Sequence, residues 1–324
     1  MSSTENSTEP GASRAPGESS GGPTGPAPSG PIDGTADEAT LRRVQRATTH
    51  VLRELDRVCG ELGIAYAVYG GTAIGAVRHR GFIPWDDDVD VCMPRADYER
   101  FLELAPGVIG EDFVVMSQRS HRDYPKTFAV MGLVGTEFVP AAAADRAFPV
   151  PIGVDVFPLD RVPRDRRAFR RQSRRTWVWG RLLFLHGSAT PETGLTGVVG
   201  AAASAVFHAV HGTMKGLRVP PSALYQRWEQ AARLYEDGSG RSAGGSRVLG
   251  DYSTQEPLRW SASEAELLPT SRVPFEDIMV ELPRDYDAVL RRGYGDYMEL
   301  PPPEQRVNHK PVRVDFGRHD PDAM

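Results

Sequence analysis

The sequence predicts a mixed α/β fold, a sheet with helices packed on it, and three observations carry that expectation. Runs of apolar residues at helical spacing alternate with short β-rich runs; a Gly-Gly pair separates a strand from a helix; and aspartates alternate with valines in two separate strand-like stretches. With 324 residues, 40% of them hydrophobic, the chain is long enough for one large domain or two small ones.

Residues 1–35 are rich in Gly, Ser, Pro, Thr and Glu without large apolar side chains, so a disordered tail is expected. From residue 36, Leu41, Val44, Ala47, Val51, Leu52, Leu55, Val58 and Leu62 recur at helical spacing until Gly63 stops the run. "IAYAVYGGTAIGAVRHRG" reads as a strand, a turn at Gly70 and Gly71, and a helix opened by Thr72. "DVDVCM" alternates as a strand, and Pro94 begins the next helix. "EDFVVMSQ", "TFAVMGLV", "TEFVPA" and "IGVDVFPLD" supply further strands, which places a core over residues 36–160.

Residues 161–247 read as a helical insertion followed by a flexible loop, "GSGRSAGGSR". Its first part, residues 161–185, holds nine arginines against one acid, and residues 195–217 are apolar but interrupted by Gly, Ser, two His and a Lys. That interruption is poor for a membrane span. Two helices packed on the core are expected here, with peripheral contact to an anionic membrane through 161–217 as the alternative. Residues 248–324 complete the domain, with a strand and then a short helix from Pro283 in "VPFEDIMVELPRDYDAVLRRGYGDYMELPP".

Composition excludes several classes of function. A net charge of -5 gives no global field for nucleic acid. Cys59 and Cys92 cannot form a disulfide framework and sit in core-like stretches. The N-terminus lacks a basic start and an apolar run, so a cytoplasmic protein is expected, with the inner membrane face as a possible peripheral location.

The chemistry concentrates in "GFIPWDDDVDVCMP". On an extended strand Asp88 and Asp90 share one face while Val89 and Val91 point to the core; Asp87 faces away, and Asp86 joins the first pair if the strand begins early. Such oxygen ligands suit Mg²⁺ or Mn²⁺. In "GVDVFPLD", Asp155 lies between valines on another core strand and needs a partner. Placed beside Asp88 and Asp90 it completes a three-carboxylate site able to hold two divalent ions for in-line phosphoryl transfer. Asp160, at that strand's end, reads as a cap or turn residue. Gly70, Gly71 and Thr72 add a phosphate site at a helix N-terminus. The conjunction matches the nucleotidyltransferase pattern.

"GGTAIGAVRHRGFIPWDDDVDVCMPRADYERF" strongly resembles the LicD family, to which fukutin-related proteins also belong; the likeness resumes at "GVDVFPLD" and "YDAVLRRGYGDYMELPPPEQR". The resemblance implies a nucleotidyltransferase-like, polymerase-beta-like fold and dependence on a divalent metal. It also implies transfer of a phospho-alcohol such as phosphocholine from a CDP-linked donor to a glycan or lipid-linked sugar. Carried over by position, Gly70, Gly71 and Thr72 resemble the phosphate-binding turn, and Asp88, Asp90 and Asp155 the metal ligands, with Asp86 an outer member. Arg78 is a candidate diphosphate clamp, or else a helix-end arginine paired with an aspartate. Arg306, His309 and Lys310 are candidates to reach a phosphate or cytidine, the alternative for His309 being a solvated loop position. Lys126 neutralises a phosphate or, as favoured, lies exposed at a strand's start. The competing functions are transfer of a nucleotide with pyrophosphate release, an Asp-x-Asp glycosyltransferase, and a calcium-binding module.

Overall fold

A computed structural model describes residues 38–144, 148–189, 197–237 and 247–322. The expected tail, 1–35, and nearly all of the expected loop at 238–247 lie outside the described residues. The chain opens with α1 (Glu38–Leu62), whose apolar positions bury one face. There follow β1 (Ala67–Val68), α2 (Gly70–His79), β2 (Val89–Pro94) and α3 (Arg95–Leu104). The helix expected to open at Thr72 therefore includes both glycines. Next come β3 (Phe113–Met116), β4 (Ala129–Leu133), β5 (Glu137–Pro140) and β6 (Gly153–Arg161).

The central sheet has the order β1-β2-β6-β4-β3, with β2 and β6 parallel and the other neighbours on this path antiparallel. Alternation decides its two faces. Val89, Val91, Val154 and Val156 are fully buried in the main core, where α1 contributes Val51, Leu52, Leu55 and Val58. Cys92 and Phe157 belong to the opposite face, packed against Leu249, Ala262 and Leu267. Both cysteines are free and buried, and burial pushes their thiols up.

One expected strand does not join this sheet. β5, the "TEFVPA" run, pairs instead with β11 (Pro311–Asp315), whose paired residues lie 171 to 178 positions on and which no local pattern announces.

Among its described residues the insertion holds three helices: α4 (Arg166–Gly187), α5 (Gly197–Gly216) and α6 (Pro221–Ala232). α4 and α6 build a second core around Leu183, Leu224, Tyr225 and Trp228. Among the described residues of α5, Met214 is the buried one, and Phe207 and Val210 pack with it against the second core while most of the helix stays exposed. Asp160 is no cap: it is buried in an ion pair with Arg95, whose Nε and Nη2 donate at 2.8 and 2.6 Å. Arg95 also lies 3.9 Å from Glu229 of α6 in the insertion.

β7 (Val248–Gly250) then pairs with the end of β6 and with β8 (Ser261–Ser263), extending the central sheet. α7 (Glu264–Leu267) follows, opened by a capping box at Ser263. The strand expected near 273 is a hairpin of β9 (Ser271–Phe275) and β10 (Ile278–Leu282). The helix expected from Pro283 starts later, as α8 (Tyr286–Tyr294), where the Asp285 side chain accepts from the Ala288 N–H.

Candidate active site

The parallel pairing of β2 and β6 sets Asp90 directly opposite Asp155, although 65 positions separate them. Neighbouring strands lie about 4.8 Å apart, so the register alone puts the two carboxylates on one face of the sheet. The backbone of Asp90 is fixed on both sides: its N–H donates to Thr72 Oγ1 at 2.9 Å, and its carbonyl accepts from the Tyr69 N–H at 2.9 Å. Thr72 is buried, so its hydroxyl serves the strand.

Asp86 and Asp88 approach from the loop before β2. The buried Gln45 of α1 donates to the Asp86 carbonyl at 2.8 Å, and the two carboxyls share a hydrogen bond. Burial, then the negative charge of Asp88, pushes Asp86 up to about 8. Burial raises Asp90 well above the usual carboxylate range, with Asp88 and Asp155 adding to it, and it raises Asp88 against the pull of His309.

The glycines of α2 back onto these acids. Gly70 has a left-handed φ of 57°, and a Cβ there would stand 3.3 Å from Asp90 Oδ2. A Cβ at Gly71 would stand 2.9 Å from Asp86 Oδ2. The positive end of a ten-residue helix therefore faces a carboxylate pair. Tyr294 of α8 closes this side: burial and then the charges of Asp90, Asp86 and Asp88 push its phenol up, which keeps it a neutral donor. Trp260 packs edge-on against it, ring centroids 5.1 Å apart.

Two cations complete the cleft. Lys126, expected to lie exposed, instead donates to both oxygens of Asp155 at 3.0 and 3.1 Å. His309 lies against the acids, as the solvated alternative did not foresee. Its Nδ1 is 2.7 Å from Asp87 Oδ1, its Nε2 is 3.7 Å from Asp88 Oδ2, and its backbone N–H donates to Asp87 at 3.2 Å. The hydrogen bond to Asp87, helped by Asp88, pushes the imidazole up to about 9, so it is protonated at neutral pH. Asp87 is buried by this contact, and one atom each from Asp87, Asp88 and His309 lie within 4.8 Å of one another. This cluster brings in Asp87, which the strand periodicity sets aside; Asp155 is engaged by Lys126.

Arg78 and Arg306 come together on another side. Arg78 Nη1 donates to the Tyr297 carbonyl at 2.9 Å, in place of the aspartate considered from sequence, and burial and then the charge of Arg306 lower its pKa. The Arg306 guanidinium lies 5.3 Å from the centre of the Trp85 ring, next to Asp86 in sequence, and its Nε donates to the Pro301 carbonyl at 2.9 Å.

A cavity of about 190 Å³ opens onto Asp87, Asp88, Lys126, Asp155 and His309. A second cleft of about 360 Å³, lined by Phe128, Trp177, Arg181, Phe184 and Tyr252, meets it at Lys126. Asp87, Asp88 and Asp155 line the first cavity with Lys126 and His309, whereas Asp86 and Asp90 do not line it; among the described residues the three possible ligands that come within 4.8 Å of one another are Asp87, Asp88 and His309, not the expected Asp88, Asp90 and Asp155. Carboxylate oxygens of this kind are the donors that hard divalent cations such as Mg²⁺ or Mn²⁺ take.

The sheet, the paired acids and the glycine-backed helix define a mixed α/β domain with an acidic cleft. Residues 63–129 match the family model "LicD/FKTN/FKRP, nucleotidyltransferase domain". A 65-residue segment, 20% of this chain, is 48% identical to the lipopolysaccharide cholinephosphotransferase LicD of Haemophilus influenzae and covers 24% of that protein. An uncharacterized protein of Rickettsia prowazekii is 29% identical over 24% of the chain and 29% of its own length, and one of Rickettsia typhi is 34% identical over 17% and 18%. The chain thus spans less than a third of the length of these relatives in each match. Over residues 63–129, which hold Gly70 to Thr72, Asp86 to Asp90 and Lys126, the chain is similar to the LicD family.

Proposed function

We propose that the protein transfers a phospho-alcohol, phosphocholine or a close analogue, from a CDP-linked donor to a hydroxyl of a glycan or lipid-linked sugar, on a nucleotidyltransferase-like core and in the cytoplasm. The supporting observation is the register of Asp90 against Asp155, which joins an acid inside the LicD-matching segment to one outside it.

Asp86, Asp88 and Asp90 are the residues to hold a divalent ion, with Asp155 on the neighbouring strand. Such an ion supplies charge neutralisation on the phosphoryl oxygens of the donor. Lys126 presents a positive charge to the same oxygens from the cavity wall, and Arg78 with Arg306 offers a second basic pair for the diphosphate. Tyr294 is placed to donate a hydrogen bond beside Gly70. Asp155 is assigned the acceptor's hydroxyl proton, and its two hydrogen bonds from Lys126 hold it in place for that role. His309 fixes Asp87 and Asp88, and so the loop that carries Asp86.

The test is to incubate the purified protein with Mg²⁺ and a panel of CDP-alcohols and follow CMP, with and without candidate sugars. CMP release that requires Asp90 and Asp155 supports the reading. Pyrophosphate release from a nucleoside triphosphate, with CDP-alcohols untouched, would replace it with nucleotide transfer.

A further inference from the structure

The proposed transfer leaves the outer surface of the helical insertion without a role, and two features of that surface point the same way. On α4, Arg166, Arg170, Arg174, Trp177 and Arg181 recur at intervals of four, four, three and four, so they line one stripe of the helix. Arg167, Arg171 and Arg175 form the adjoining row. The six arginines from 166 to 175 are exposed, and none carries an ion pair among the described residues. Elsewhere on this protein arginines pair readily, as Arg57, Arg95, Arg119 and Arg272 do. An unpaired row in one helix is a surface built to receive negative charge.

α5 supplies the second feature. Its 20 residues contain no acid, and its single lysine, Lys215, falls in the last turn. Phe207, Val210 and Met214 pack toward Leu183 and Leu185, and His211 Nδ1 bonds the Leu185 carbonyl at 2.8 Å. A different stripe, Val199, Ala202, Val206 and Ala209, faces solvent, with Val199 64% and Val206 59% exposed. Ser204, His208 and Lys215 keep to a third arc. Leu217, just past the helix, is 73% exposed, and Trp177 on α4 is 48% exposed. Scattered exposed aliphatics are ordinary on a protein surface, but an apolar stripe along an acid-free helix is not. No helix among the described residues is long and apolar enough to cross a membrane.

We infer that α4 and α5 dock the protein on an anionic bilayer surface, with the α5 stripe in the interfacial layer and the α4 arginines on lipid phosphates. An exposed tryptophan within the basic stripe suits the same boundary, where an amphipathic ring sits at headgroup level. Charge complementarity selects the partner: a second copy of this chain would bring arginine rows against each other, whereas an anionic leaflet satisfies both rows and stripe at once. Trp177 and Arg181 also wall the 360 Å³ cleft that leads to Lys126, so docking places that cleft beside the lipid surface. The docking does not depend on the transfer reaction.

Cosedimentation of the full chain with vesicles tests this. Phosphatidylglycerol vesicles at low ionic strength are expected to pellet the protein and release it in high salt, while pure phosphatidylcholine vesicles leave it in solution. The double change Arg170→Glu with Arg174→Glu is expected to weaken binding about tenfold or more. Val206→Asp, on an exposed face and with the circular dichroism spectrum unchanged, is expected to weaken it as well. Binding to neither vesicle, equal binding to both, or variants that bind as well as the parent would overturn the inference. So would a dimer in sedimentation velocity that Val206→Asp dissociates while vesicles never bind, because the stripe would then belong to a second copy.

Discussion

Asp90 shows how one residue can be read in part from sequence. The alternation in "DVDV" identifies its face, and a buried aspartate between valines announces a need for a partner. The partner is supplied by strand pairing. Asp90→Asn and Asp155→Asn remove charge and hardly any volume, so each is expected to lower CMP release by roughly a hundredfold or more while leaving the thermal melt in Mg²⁺ near that of the parent. Full activity in either variant would refute the assignment. The titrating groups make a second prediction. His309, with its folded-state pKa raised from 6.5 to about 9, stabilises the fold fully below about 6.5, and that contribution is lost as pH rises through about 9. Asp86 works in the same direction by the opposite route. Its pKa is raised to about 8, so the folded chain keeps a proton that the unfolded chain releases near pH 4, and stability falls as pH climbs between those values. In EDTA, Tm should therefore decline from pH 6 to pH 9. Mg²⁺ should raise Tm more at pH 8 than at pH 5, because protons compete for the same oxygens. A Tm that is flat with pH and indifferent to Mg²⁺ would contradict the site as described.

At the scale of elements, α2 and β2 form the working unit: the helix begins at a pair of glycines, and Asp90 of the strand and Asp86 of the loop before it rest against them. Ala is a better helix former than Gly by up to about 1 kcal/mol, so stability alone would favour Gly71→Ala. The added Cβ would stand 2.9 Å from Asp86 Oδ2, however, and must displace the carboxyl. The expected outcome is a melt at or above the parent's with a clear loss of Mg²⁺ affinity, read by titration calorimetry; unchanged affinity would show that Asp86 has room to spare. The elements themselves are largely legible locally, since α1, β2, α3 and β6 follow their apolar periods closely. Where the reading departs from the structure, the cause is pairing at a distance. β5 has the composition of a sheet strand but its hydrogen-bond partner is β11, and Lys126, which looks like a solvated strand start, is bonded to Asp155.

On the whole-molecule scale, Arg95 is held by Asp160 within the core and reaches Glu229 of the insertion at 3.9 Å. Arg95 and Asp160 are 5% and 2% exposed, and no sequence pattern links position 95 to position 160. Removing one partner strands the other in the interior, so Arg95→Met is expected to cost about 3–5 kcal/mol in urea denaturation. Adding Asp160→Leu should recover most of that loss, because a buried pair replaced by apolar groups is often neutral. If the double variant is as unstable as the single one, the bridge owes its worth to geometry that apolar packing does not replace.

The sequence by itself determined the class of fold, the acids and the glycines beside them, because these rest on periodicity and spacing over a few tens of residues, and the likeness to the LicD family, which rests on residue identities within one such stretch. It also showed nine arginines against one acid in residues 161–185 and an interrupted apolar run in residues 195–217, for which packed helices are the favoured reading. Only the tertiary structure decided that Asp90 faces Asp155, that Lys126 and His309 are the cations of the cleft, that Asp87 is buried beneath His309, and that α5 keeps an apolar stripe in solvent. Those outcomes depend on register and packing between segments as much as 222 positions apart, and side-chain chemistry favours such contacts without specifying which of many compatible partners will meet.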